Sequence, residues 1–164
     1  MKRLTRMLSC ALAALLLAAP AALAQTGPPT PEPQEIARRC VEAIGQTTHA
    51  VVTHSGNLAQ HGVRVIAALD HHGAPPPVLI YVARNVGGAI NRTAQNGARS
   101  VNQIAYACVM VLDEVGAGPK LIGVVIGARN AALTGIGVAR ERATGAVREA
   151  LERALMDGVG AVAM

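Results

Sequence analysis

The stretch Ile80–Val115, IYVARNVGGAINRTAQNGARSVNQIAYACVMVLDEV, decides the fold. Ile80, Ala83, Gly87, Ile90, Ala94, Gly97, Val101, Ile104, Cys108, Val111 and Val115 follow one another in alternating steps of three and four, and none is charged or strongly polar. Such steps return to one side of a helix, whereas a strand needs every second residue. Between them stand Arg84, Asn85, Asn91, Arg92, Gln95, Asn96, Arg99 and Gln103, the residues of a water-facing side. The spacing predicts a helix over 78–116 that packs in coiled-coil fashion along one seam. Three features speak for strands instead. Val78–Val82, Ala107–Leu112 and Leu121–Ile126 are rich in β-branched residues, Asn96-Gly97 is a hairpin-turn dipeptide, and a glycine inside a helix costs about 1 kcal/mol relative to alanine. The placement of glycine decides for helices: Gly62, Gly87 and Gly97 all fall on apolar seams, where a missing side chain lets backbones approach.

The pattern extends both ways. Upstream, Ala37, Val41, Ile44, Thr48, Val51, Ser55, Leu58, Gly62, Val65 and Leu69 keep the same alternation. It stops at His71-His72-Gly73, ahead of Pro75-Pro76-Pro77, which predicts a helix over 35–72. Downstream, Gly116-Ala117-Gly118-Pro119 is again a stop followed by a start. A third helix over 119–156 carries Leu121, Val125, Ala128, Ala132, Ile136, Ala139, Ala143, Val147, Ala150 and Ala154 at a looser period, nearer 3.6. Arg148–Glu152 and Glu149–Arg153 add pairs four apart near its end. Asp157-Gly158 is read as releasing a short tail, 159–164. The expected fold is all-α: three long antiparallel helices forming a bundle domain over 35–158, each roughly 55 Å long at 1.5 Å per residue.

The N-terminus has a different character. Lys2, Arg3 and Arg6 precede the apolar run Leu8–Leu17, then Pro20 and the small-residue site Ala22-Leu23-Ala24. That layout predicts a signal peptide over 1–24, with the mature chain starting at Gln25. Cys10 lies at the start of the run, not at its end, and is not read as a lipid acceptor. The run is too short to cross a bilayer, so no transmembrane segment is expected in the mature chain. Export to a bacterial periplasm or the extracellular space follows. Residues 25–34, QTGPPTPEPQ, hold four prolines and read as an extended, flexible leader.

Three of the fifteen basic residues lie in the signal, so the rest of the chain carries twelve against ten acids, a net charge of +2 rather than +5. Phe and Trp are absent, and Tyr81 and Tyr106 are the only stacking platforms. Both points argue against nucleic acid. The core must be built from Val, Ile, Leu and Ala, and so slim a rod predicts a homo-oligomer.

Chemistry is sparse. His54 and His61 share a helix face but stand about 10.5 Å apart along the axis, too far for one metal. They remain the weak candidates for contact with haem or a small apolar ligand inside the bundle. His49, His71 and His72 name no further partners. No metal or cofactor is expected, and Glu42, Asp70, Asp113 and Glu114 form no recognisable acid/base pair. Gly123-x-x-x-Gly127 reads as close packing within the bundle, and Asn91-Arg92-Thr93 as a glycosylation sequon of little weight on a helix. Cys40 and Cys108 are an even pair in an exported chain. A hairpin folded about Ala74 brings together residues whose numbers add to about 148. That pairs Cys40 with Cys108 and predicts a disulfide with Cα atoms within about 7 Å. The same rule sets His54 against Ala94, His61 against Gly87, Thr47 against Val101 and Ala68 against Ile80. The expected function is structural or protein-binding, without catalysis; a ligand- or haem-carrying module is the alternative, and an enzyme the least supported.

Overall fold

A computed structural model describes residues 32–160, with side chains as far as Met156. The expected signal peptide over 1–24, residues 25–31 of the expected leader and residues 161–164 lie outside it. Three helices account for the described chain: α1 (Pro33–His71), α2 (Pro76–Glu114) and α3 (Pro119–Gly160). Their 39, 39 and 42 residues make rods of roughly 58 to 63 Å at 1.5 Å per residue. The fold is the helical bundle that the spacing predicts, and the described residues contain no strand. Asn96-Gly97 lies inside an unbroken α2, and α3 continues through Asp157-Gly158 to Gly160 rather than ending before them.

Both turns are built alike. Gly73 and Gly116 adopt φ of 71° and 69°, the left-handed region that favours glycine. The amide of Gly73 donates to the Asp70 carbonyl and that of Ala74 to the Leu69 carbonyl; Gly116 and Ala117 repeat this on Asp113 and Leu112. These are Schellman closures; Ala74 and Leu69 both pack against one core cluster, and Ala117 packs against the cluster that holds Leu112. Proline then starts the next helix where its missing N–H costs nothing.

All ten expected seam positions of α1 are buried or half-buried, and the α2 seam departs from the expectation at its end. One row of buried and half-buried positions in α1 runs Ala37, Cys40, Ile44, Thr48, Val51, Ser55, Ala59, Gly62 and Ile66, with Val41, Leu58, Val65 and Leu69 half-buried beside it. The corresponding row in α2 runs Leu79, Ala83, Val86, Ile90, Ala94, Gly97, Val101, Ala105, Cys108 and Leu112. Both rows repeat every eleven residues, as does the row of ten read from the α3 sequence, all of it buried or half-buried. Eleven residues in three turns is 3.67 per turn, against 3.5 for a heptad. A heptad stripe therefore drifts relative to such a row along a helix of this length. In α2 it begins at half-buried Ile80 beside buried Leu79, and it ends at Val111 and Val115, which are 36% and 40% exposed.

The register follows the rule of 148. Cys40 is bonded to Cys108, Val51 lies against Gly97, and Gly62 against Val86. These three pairs are themselves eleven residues apart. α3 runs parallel to α1, with Gly135 beside Thr48, and antiparallel to α2, where Arg129 Nε donates to Asn102 Oδ1 at 2.6 Å. The core forms two clusters. One holds Ile44, Val101, Leu112, Val125 and Ile136, the other Ile66, Leu79, Ile90 and Val147. Ser55, 1% exposed, belongs to neither, and its hydroxyl has no hydrogen-bond partner.

Candidate functional site

The cysteine pairing is where the hairpin register puts it. Cys40 and Cys108 form a disulfide, with Cα atoms 6.0 Å apart across a separation of 68 residues. Along the same row, Gly97 and Gly62 each accept a valine from the facing helix. A Cβ on Gly62 would lie 2.7 Å from Val86 Cγ1, and one on Gly97 2.9 Å from Val51 Cγ1. Close approach at two of the three seam glycines is thus as expected. Gly87 is the exception, with nothing within 4 Å of its Cβ position.

The histidines do not follow the same rule. His54 and His61 are both exposed, so neither imidazole packs on Ala94 or Gly87, and Ala68 is exposed as well. The rule of 148 fixes height but not direction. At these heights the eleven-residue seam runs through Ser55 and Gly62, one residue on from each histidine, and a step of one turns a side chain by about 100°. Neither histidine faces the interior, where haem or an apolar ligand would lie. His71 and His72 meet edge to face at 5.6 Å on the exposed end of α1. No group of three or more His, Cys, Asp or Glu able to hold a metal occurs among the described residues.

Charge is organised at the helix ends. Glu35 accepts hydrogen bonds from Arg38 Nε and Arg39 Nε, both at 2.8 Å, and these hold its carboxyl down to about 2. The same contact raises the Arg38 guanidinium above its ordinary value. Arg148 lies 3.8 Å from Glu152, as its spacing predicts. Arg153 instead donates to the Glu149 backbone carbonyl at 3.3 Å, not to its carboxylate.

The least expected surface is on α3. This helix is long and apolar enough to cross a membrane by length and composition, yet only 17% of the qualifying stretch is buried. Gly123 and Gly127 are exposed, with no atom within 4 Å of their Cβ positions, so they do not serve packing within the bundle. Beside them, Val124, Ile126 and Val138 are 48%, 42% and 41% exposed. A shallow groove between α1 and α3, walled by Val41, Gly45, Val52, Ala128 and Ala131, adjoins this face. The sequence held the signal. Once the row through Leu121, Val125, Ala128 and Ala132 is assigned to the core, Gly123, Val124, Gly127 and Ala131 have only the outside left.

No family model, curated protein or solved structure matches the chain. The surface has to speak for itself.

Proposed function

We propose that this chain is an exported helical-bundle protein with a structural or protein-interaction role, assembled from copies of itself and without catalysis. The observation that supports the reading is the apolar stretch of α3: eighteen consecutive residues apolar enough for a membrane core, of which 17% are buried. A helix that is apolar all round is found covered on every side, and contiguous apolar surface on a water-soluble domain marks an interaction site. The disulfide at Cys40–Cys108 supports export, because such bonds persist in oxidising compartments.

Sedimentation equilibrium of the exported, oxidised protein at micromolar concentration tests the assembly. A mass of two or more mature chains is expected, and the mass of one overturns the reading. N-terminal sequencing of the same material tests export. A start at Gln25 is expected, whereas Met1, or lipid on Cys10, refutes it.

A further inference from the structure

Among the described residues a single side-chain hydrogen bond joins one helix to another, and it holds a cation. Arg129 on α3 donates from Nε to Asn102 Oδ1 on α2 at 2.6 Å, and from Nη1 to Asn130 Oδ1 at 3.3 Å. Every other side-chain bond stays within four residues of its donor. Both acceptors of Arg129 are neutral amides, whereas Arg38, Arg39, Arg140 and Arg148 each meet a glutamate. Neither helix offers it a nearby carboxylate: the sequence has no Asp or Glu from His71 to Leu112, nor from Val115 to Arg140. Arg99, one turn before Asn102, adds a second cation instead. A half-buried guanidinium has given up part of its water, and such a charge is ordinarily paired. Here the planar fork is fixed in direction but not neutralised, and its Nη2 takes no acceptor among the described residues.

The fork stands beside a groove of about 350 Å³ between α2 and α3, walled by Asn102, Ala105, Tyr106, Val109, Ile126 and Arg129. That volume falls at the lower end of the range for small-molecule sites. Apart from Arg129, Asn102 and the Tyr106 hydroxyl, the lining side chains are apolar. The Tyr106 ring is 70% exposed and open to a partner. A carboxylate matches the guanidinium fork in plane and charge, and a flat apolar body can stack on the tyrosine ring. Other occupants fit less well. A bare phosphate leaves the apolar lining wet, a metal cation is repelled by Arg99 and Arg129, and a neutral molecule leaves the guanidinium uncompensated.

We propose that the α2–α3 groove binds a small arylcarboxylate. Arg129 is the anion contact, Asn102 the residue that positions it, and Tyr106 the stacking wall. The site is complete within one chain, so it stands whether or not copies of the chain assemble.

The probe is benzoate, titrated into the mature, natively disulfide-bonded protein and followed by proton–nitrogen correlation spectra that include arginine Nε–H and asparagine side-chain signals. Benzoate should shift Arg129 Nε–H, the Asn102 side-chain amide and the Tyr106 backbone amide with one Kd, on the order of 1 mM for so open a groove. Benzamide keeps the shape without the charge and acetate the charge without the ring; each should bind about tenfold more weakly. Arg129→Gln should weaken benzoate about tenfold, Arg129→Lys should fall between it and the wild type, and Arg84→Gln should change nothing. Far-UV circular dichroism should stay helical in all three. No shift of these signals at about ten times the expected Kd, or equal shifts with benzamide, overturns the site. Acetate or inorganic phosphate binding as tightly as benzoate overturns the ligand class. Undiminished binding by Arg129→Gln overturns the role of Arg129.

Discussion

Gly97→Ala and Gly87→Ala are the same chemical change on the same helix, and the structure gives them different outcomes. Replacing an interior helical glycine by alanine gains about 1 kcal/mol through backbone entropy. At Gly87 nothing lies within 4 Å of the new methyl, so the full gain should appear as stabilisation. At Gly97 the methyl would stand 2.9 Å from Val51 Cγ1 and 3.1 Å from Val51 Cβ. Rotating Val51 moves its methyls but not its Cβ, and valine in a helix is stiff in any case. The helices must part, at an overpacking cost of about 1–3 kcal/mol. Gly97→Ala should therefore be neutral to about 2 kcal/mol destabilising, and should lie about 1–3 kcal/mol below Gly87→Ala in stability. Urea denaturation followed by far-UV circular dichroism, at one protein concentration, reads the difference. Val51→Ala/Gly97→Ala should recover part of the loss through positive coupling. If Gly97→Ala stabilises as much as Gly87→Ala, the close approach of α1 and α2 at this row is wrong.

Three further outcomes are expected. Breaking the disulfide with Cys40→Ser/Cys108→Ser frees a loop of 68 residues and should cost up to about 4 kcal/mol by the chain-entropy relation; unchanged urea midpoints, or two alkylatable thiols on the unfolded, unreduced wild type, would contradict the pairing. Because the Glu35 carboxyl is depressed to about 2 by hydrogen bonds from Arg38 and Arg39, its contribution to stability is complete above its ordinary value of 4.5 and is lost as pH falls toward 2. A carbon-detected titration should place its midpoint near 2 and Arg39→Gln should raise it, whereas an ordinary midpoint in the wild type would refute the contact. Ser55→Ala removes a buried hydroxyl without a partner and improves helix propensity, so it should stabilise by about 1 kcal/mol in thermal melts; a lower melting temperature means the hydroxyl has a partner in solution.

Much of the bundle can be read from local chemistry. Glycine at Gly73 and Gly116 followed by proline ends one helix and starts the next, and these signals act over five or six residues. The Cys40–Cys108 contact was legible for a related reason: a tight turn at Ala74 leaves one register for two straight helices. The seam was harder, because over one or two heptads a 3.5-residue and a 3.67-residue repeat choose the same positions. They part only at the ends, as at Ile80 and Val111. Histidine placement failed because height says nothing of azimuth, and His54 and His61 lie one residue away from buried Ser55 and Gly62. The outer face of α3 was misread for a different reason. Gly, Ala and Val suit an interior and a helix-to-helix contact equally, and residue type alone does not say which helix is met.

The disulfide and the parallel course of α1 and α3 together set how the bundle carries load. Tension drawn between the start of α1 and the end of α3 pulls the two helices past each other along their length. It strains every layer of the core at once instead of unzipping them in turn. If the bundle yields, the segment between Cys40 and Cys108 is bypassed by its covalent bridge. Those 68 residues, roughly 230 Å of contour at about 3.4 Å each, stay out of the extension until the bond is reduced. An oxidised chain is thus a short tether with a hard stop, and a reduced one is a long tether.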